Sequence, residues 1–451
     1  MNMNTRFCVL IRLFLIALLP ILSWPAQAVI PGITGSYDGG TNTRTFDIYA
    51  SPAAISTPDG DSLLIWAYGE SGALVQYPGP TLLINEGENV VVNLSNGSSP
   101  STALMYTGAV ENVSMIFPGQ ANVAASGGNA GLMTQESTSD TDTVSYSFAA
   151  THPGTYTYHS GTRQDLQVEM GLLGAIIIRP QTNPDNQAYN HPDSTYDHEY
   201  LFLLTEMDPE IHQMVDFGMA VDTSNYDPVL WFINGRNGPD TLFDHFAPWV
   251  PHQPYSSLAR MRPGEKTLMR VIGGGRDMHP FHAHGNHFWQ VARDGRMMSS
   301  SANSGADLGV SDYTLQVLPG ATYDAIFEWT GAGMGFDIYG HTEGDGSTCN
   351  GQSTASDSVD PVTFEDCNFH NVGLPVVLPE NQDLTFGGFY SGSPFLGVLE
   401  NLPPGEGGLN LNGGLFFMWH SHTEKELVNN DVFPGGMMTM MIIEPPGVPI
   451  P

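Results

Sequence analysis

Residues 154–180 read GTYTYHSGTRQDLQVEMGLLGAIIIRP. A run alternating Thr and Tyr leads to His159, and an apolar run from Gly171 stops at Pro180. Short alternating or aliphatic runs bounded by Gly and Pro read as β-strands. Upstream, SLLIWAYGE (62–70), TLLINEGENVVVNLSN (81–96) and TVSYSFAA (143–150) have the same character, with Gly, Pro, Asn and Asp between them. No twelve-residue segment keeps a 3.6-residue period with caps. Residues 29–182 therefore read as a β-sandwich.

The polar stretch 183–199 reads as a linker, and a second β pattern fills 200–451. It runs through YLFLLTEMD (200–208), LWFING (230–235), KTLMRVIGG (266–274), HPFHAHGNHFWQVARDG (279–295), YTLQVLPG (313–320) and YDAIFEW (323–329). A Gly-, Ser- and Asp-rich insertion of about 331–413 follows, and the chain closes with GLFFMWHSH (414–422) and GMMTMMIIEPP (436–446). The two blocks share an order: strand, turn, strand, His-bearing strand, aliphatic strand. The expected fold is all-β, two related sandwiches, the second carrying the insertion.

Composition narrows the partners. The chain has 51 Gly and 33 Pro in 451 residues, which favours turns over long helices. Its 47 acidic against 14 basic residues give a net charge of -33, a surface that repels nucleic acid and anionic membranes and suits a cation. Hydrophobic residues are 41%, so this is no disordered acidic tail. Arg6, Arg12, the apolar VLIRLFLIALLPILSW (9–24) and Ala26-Gln27-Ala28 read as a signal peptide (1–28) cut after Ala28, which implies a periplasmic or secreted protein. No other run is long enough for a membrane span. Cys8 would leave with the leader; Cys349 and Cys367, flanking an exported polar loop, are most simply a disulfide.

The histidines are clustered. In a strand, residues i and i+2 share a face, so His282 and His284 point one way, as do His420 and His422. Two such strands in one sandwich put four imidazoles on a common surface, a donor set for Cu, Zn, Fe or Ni. His159 is a further candidate, with His279 and His287 extending the group. A lone histidine is more often a hydrogen-bonded core residue, but stacked imidazoles without a metal leave unsatisfied nitrogens or repel on protonation. Glu424 and Glu426 either orient ligands and relay protons or form a charged strand end. Met438, Met440 and Met441 read as core packing. No P-loop, dinucleotide or G-x-S-x-G motif occurs.

At these residues the sequence resembles the multicopper oxidase family of cupredoxin-like proteins. MHPFHAHGNHFWQV (278–291) is similar to that family's third His motif, and GLFFMWHSHTEKELVNNDVFPGGMMTMMII (414–443) occupies the place of its fourth, His-Cys-His, motif. YPGPTLLINEGENVVVNLSN (77–96) resembles the opening of the first domain, and the 154–180 stretch its second motif. The resemblance implies two Greek-key β-sandwich domains, as in two-domain members and copper nitrite reductases. It implies copper as the cofactor, held by His159, His282, His284, His420 and His422, and copper oxidoreductase chemistry with a small-molecule or protein electron donor. By the same resemblance the site lies where first-domain and second-domain ligands meet, between the subunits of a homotrimer.

The departures lie in the electron-entry site. The family's type 1 thiolate position is Ser421 here, and its next type 1 His falls on Glu426. Only His279 and Met437 remain of that site. The first His motif should fall near VENVSMIFPGQ (110–120), which has no His; Gly161 stands for the second His of the second motif, and Ser160 for the cysteine of nitrite reductases. A blue copper is therefore not expected. The rival readings are a non-catalytic copper-binding or extracellular structural protein, and metal-dependent hydrolysis using Glu424.

Overall fold

The computed structural model of the protein describes residues 30–97, 102–106, 109–335, 415–444 and 447–450, with a few positions between 337 and 372 and at 395–396. The expected signal peptide and most of the 331–413 insertion lie outside the described residues. Cys349 and Cys367 are described, and they form a disulfide. Among the described residues no helix is long and apolar enough to cross a membrane.

Strands up to Arg179 build one sandwich. Its larger sheet orders Ser36–Asp38, Thr43–Ser56, Asn89–Asn96, Val144–Ala149 and Ala124–Gly127, with Ser62–Glu70 also pairing with Thr43–Ser56. Gly154–His159, Leu173–Arg179 and Gly79–Asn85 form the facing sheet. Alternation sets the core: Val90, Val92 and Leu94 point inward from one strand, against Ile176 and Ile178 from the opposite sheet.

The second sandwich pairs two larger sheets. One orders Leu230–Ile233, His198–Met207, Lys266–Gly273, Thr322–Glu328, Phe288–Arg293 and Arg296–Met297. The other orders Ala259–Met261, Met438–Ile443, Leu415–Ser421, His279–Ala283 and Thr314–Val317. Phe202, Phe281, Phe327 and Trp419 interlock between them. The methionines serve both faces of their strand: Met441 packs in this core, Met438 and Met440 in a separate outer cluster with Leu242 and Leu427.

Two strands are apolar on both faces because each lies between two cores. Ala175 and Ile177 turn away from the first core to meet Leu201, Leu203 and Phe232 of the second sandwich. The buried charges around Glu199 at this junction are paired. Arg270 donates to Glu199 Oε2 at 2.9 Å and to Thr155 Oγ1 at 3.0 Å, while Arg179 donates to the same carboxylate at 2.7 Å. Burial alone would raise the Glu199 pKa, but Arg270 and Arg179 bring it down to about 2. The 183–199 stretch packs rather than dangles: Tyr189 and Tyr196 are buried against Leu268, Val291 and Ile326, and His198–Met207 already begins the next sheet.

Candidate metal centre

The strand His279–Ala283 runs antiparallel to Leu415–Ser421, with His282 opposite His420 and Phe281 opposite Ser421. Pleating divides these residues between two environments. Phe281, Ala283, Phe417 and Trp419 enter the core; His282, His284, His420 and His422 stand on the other face. On that face the His282 ring centre lies 4.6 Å from His284, 5.5 Å from His420 and 4.9 Å from His422. The ligand atoms of His282, His284 and His420 lie within 4.8 Å of one another. His284 Nε2 is 3.1 Å from His420 Nε2.

The rings are oriented from behind. His420 Nδ1 donates to Ser421 O at 2.6 Å, which leaves its Nε2 as a lone pair in the neutral ring. His282 Nδ1 is 2.7 Å from Thr314 Oγ1, so its Nε2 also remains for the group. Burial, with His284 and His422 nearby, lowers the His282 pKa to about 4. Burial and the three neighbouring rings lower His420 to about 3, against its bond to Ser421 O. Near neutral pH these two rings are uncharged, the form that ligates metal. Nitrogen donors with lone pairs converging from two strands fit copper.

The other expected ligands lie at the rim of this group or apart from it. His159 lines a 360 Å³ cavity at the junction of the two sandwiches, beside Thr205, Glu206, Pro319 and Gly320, and is not part of the His282 group within one chain. Its Nδ1 is 3.0 Å from Ser160 O, and burial lowers its pKa. His287 is exposed, its ring centre 5.3 Å from Tyr313, which in turn lies 5.5 Å from His282. His422 is half exposed at the rim, with its Nδ1 3.7 Å from Glu424 Oε1. Met437 is buried in the second core.

His279 and Glu426 meet on the inner side of the strand pair. His279, expected to extend the ligand set, instead has both ring nitrogens engaged: Nδ1 is 2.9 Å from Glu426 Oε2 and Nε2 is 2.9 Å from Glu206 Oε2. Ser421 Oγ donates to the same Glu426 Oε2. Burial opposes charge on His279, but the two carboxylates outweigh it and raise the pKa to about 9. A doubly protonated imidazole has no lone pair, and a hydroxyl does not replace a thiolate, so these residues do not fit a blue copper. Glu206 and Thr314 escaped the sequence reading. The signal for Glu206 was an acid inside the apolar run YLFLLTEM, where a buried carboxylate demands a partner.

Comparison with known proteins agrees with this architecture. Multicopper oxidase family profiles match residues 72–183 and 226–336. A multicopper oxidase of Talaromyces pinophilus is 36% identical over 108 residues, 24% of this chain and 16% of its own length. Laccase-2 of Botryotinia fuckeliana is 23% identical over 424 residues, 89% of this chain and 65% of the laccase. The chain thus spans less than two thirds of either relative. The blue copper oxidase of Nitrosomonas europaea shares the fold, with a TM-score of 0.51 at 18% identity over 88% of this chain and 85% of that one. With two matching family segments on two cupredoxin-like sandwiches, the chain belongs to the multicopper oxidase family.

Proposed function

We propose that this is an exported copper-dependent oxidoreductase that works without a blue type 1 copper, holding its metal on His282, His284 and His420 with His422 at the rim. The observation that carries the reading is the convergence of the His282, His284 and His420 ligand atoms within 4.8 Å. Copper bound there would supply one-electron redox chemistry. The chain's own residues define the rest: Thr314 and Ser421 O fix two ring orientations, and half-exposed His422 keeps one side open to solvent. With no blue copper to receive electrons, a small-molecule or protein donor would deliver them at that open side.

His159 lies apart from this group within one chain, so a first-sandwich ligand for it would have to come from a second copy, as in a homotrimer. Export rests on the leader-like residues 1–28. The ionic arrangement around His279 favours a second reading, a copper-binding protein without turnover. Metal analysis with visible and electron paramagnetic resonance spectra, followed by oxygen uptake with phenolic and metal-ion donors, separates the two. Bound copper without an intense blue band, together with uptake, supports the oxidoreductase. Copper without uptake supports the second reading, and a folded protein that takes up no copper ends both.

A further inference from the structure

The face opposite the His282 group has its own built site. Three separate elements converge there: Glu206 from His198–Met207, His279 from its strand, and Glu426 from the 3-10 turn Glu424–Leu427. The side chains of Glu206 and His279 are 0% exposed and that of Glu426 is 3% exposed. Glu206 Oε1 accepts the backbone N–H of Asp277 at 2.9 Å, the N–H of Arg276, and the Tyr226 hydroxyl at 3.2 Å. Its Oε2 lies where residue 275 would place a side chain: a Cβ on Gly275 would sit 1.9 Å away. On the other side, Ser421 Oγ donates to Glu426 and accepts Thr423 N–H at 3.2 Å. Nearly every polar atom in the site has a partner, as a buried charge cluster requires.

From this arrangement we infer that the pocket which resembles a type 1 copper site has become a metal-excluding ionic lock, in which Glu426 Oε2 occupies the point where a metal would bridge His279 Nδ1 and the residue 421 side chain. That oxygen lies 2.9 Å from His279 Nδ1 and in hydrogen-bond contact with Ser421 Oγ, so the position between the two donor atoms is already filled. Glu206 secures the other nitrogen. A cation entering here would have to strip a proton from His279 and displace a carboxylate that holds two hydrogen bonds, without a thiolate to compensate. The lock also ties the turn that follows His420 and His422 to the strand bearing His282. The inference shares with the proposed function only the absence of a blue centre; it does not depend on copper at the His282 group.

The test counts copper and zinc per chain in the full protein, in His279→Gln, and in the double variant Ser421→Cys, Glu426→His, with circular dichroism to verify folding. His279→Gln is expected to bind as much metal as the parent. The double variant is expected to gain one copper per chain and an intense visible thiolate-to-copper band that the parent lacks. Loss of one metal equivalent in His279→Gln would overturn the lock, because His279 would then be a ligand. A folded double variant that gains no copper would overturn it too, because the pocket would not be a metal position under any side chains. Should the double variant fail to fold, the His279→Gln count still decides. Metal at the His282 group is read separately, by its loss in His282→Ala, so failure of the lock and failure of the proposed function are distinguishable.

Discussion

His282 and His420 stand directly opposite one another across an antiparallel strand pair, their ring centres 5.5 Å apart. Each is held through Nδ1, one by Thr314 Oγ1 and the other by Ser421 O. Replacing either histidine with Ala is expected to abolish copper binding at this face while leaving the β fold intact, checked by metal analysis and circular dichroism. Thr314→Val should keep all the rings but weaken copper about 10- to 100-fold, since it frees the orientation of His282. Unchanged affinity in Thr314→Val would show that the ring is fixed by packing alone.

Acid should act late on this face. The pKa values of His282 and His420 are lowered to about 4 and 3, so both rings stay neutral well below the usual histidine range. In the metal-free protein such depressed groups contribute stability that is present above about pH 6.5 and is lost as pH falls towards those values. Protons should compete with copper over the same lower range. Dialysis against buffers from pH 7 to 3 is expected to retain copper through pH 5. Release centred near pH 6.5 would mean that the rings titrate like exposed histidines.

Base should act on the other face. With its pKa raised to about 9, His279 contributes stability that is fully present below about pH 6.5 and lost as pH rises through 9. The contribution is on the order of 3 kcal/mol. Denaturant unfolding of the metal-free protein between pH 6 and 10 should reveal this decline, and His279→Gln should flatten it. An equally steep decline in both proteins would assign the pH dependence to other groups.

The junction of the two sandwiches rests on Arg270, whose side chain is 0% exposed and lies between Glu199, at 2.9 Å, and Asp324, at 3.6 Å. Arg270→Ala leaves Asp324 and part of Glu199 without their cation and should cost about 3–5 kcal/mol. Urea unfolding measures this directly. A cost below about 1 kcal/mol would place the pair in the class of exposed salt bridges.

Much of this was legible because strand periodicity is local. SLLIWAYGE and KTLMRVIGG fall on strands Ser62–Glu70 and Lys266–Gly273, and the i, i+2 rule puts His282 with His284 and His420 with His422 on one face. The same rule separates His279 from its neighbours, since it lies three residues from His282 and so on the opposite side of the pleat. Its carboxylate partners are distant in sequence, 73 residues away in Glu206 and 147 in Glu426, and only the sheet order joins them. Thr314 likewise reaches His282 from the next strand. Which side a residue faces is written in its neighbours; what it meets there is set by topology.

The close fit of Glu206 against Gly275 constrains which residues can be exchanged here. While the carboxylate lies there, no residue with a side chain fits at 275. Exchanging Glu206, His279 or Glu426 alone strands a buried charge, and changing Ser421 alone leaves Glu426 filling the pocket. Placing a metal in this pocket therefore requires coordinated replacement of more than one of these residues. The cluster therefore behaves as one unit: its members depend on each other across three separate elements, and none can be exchanged without consequences for the rest.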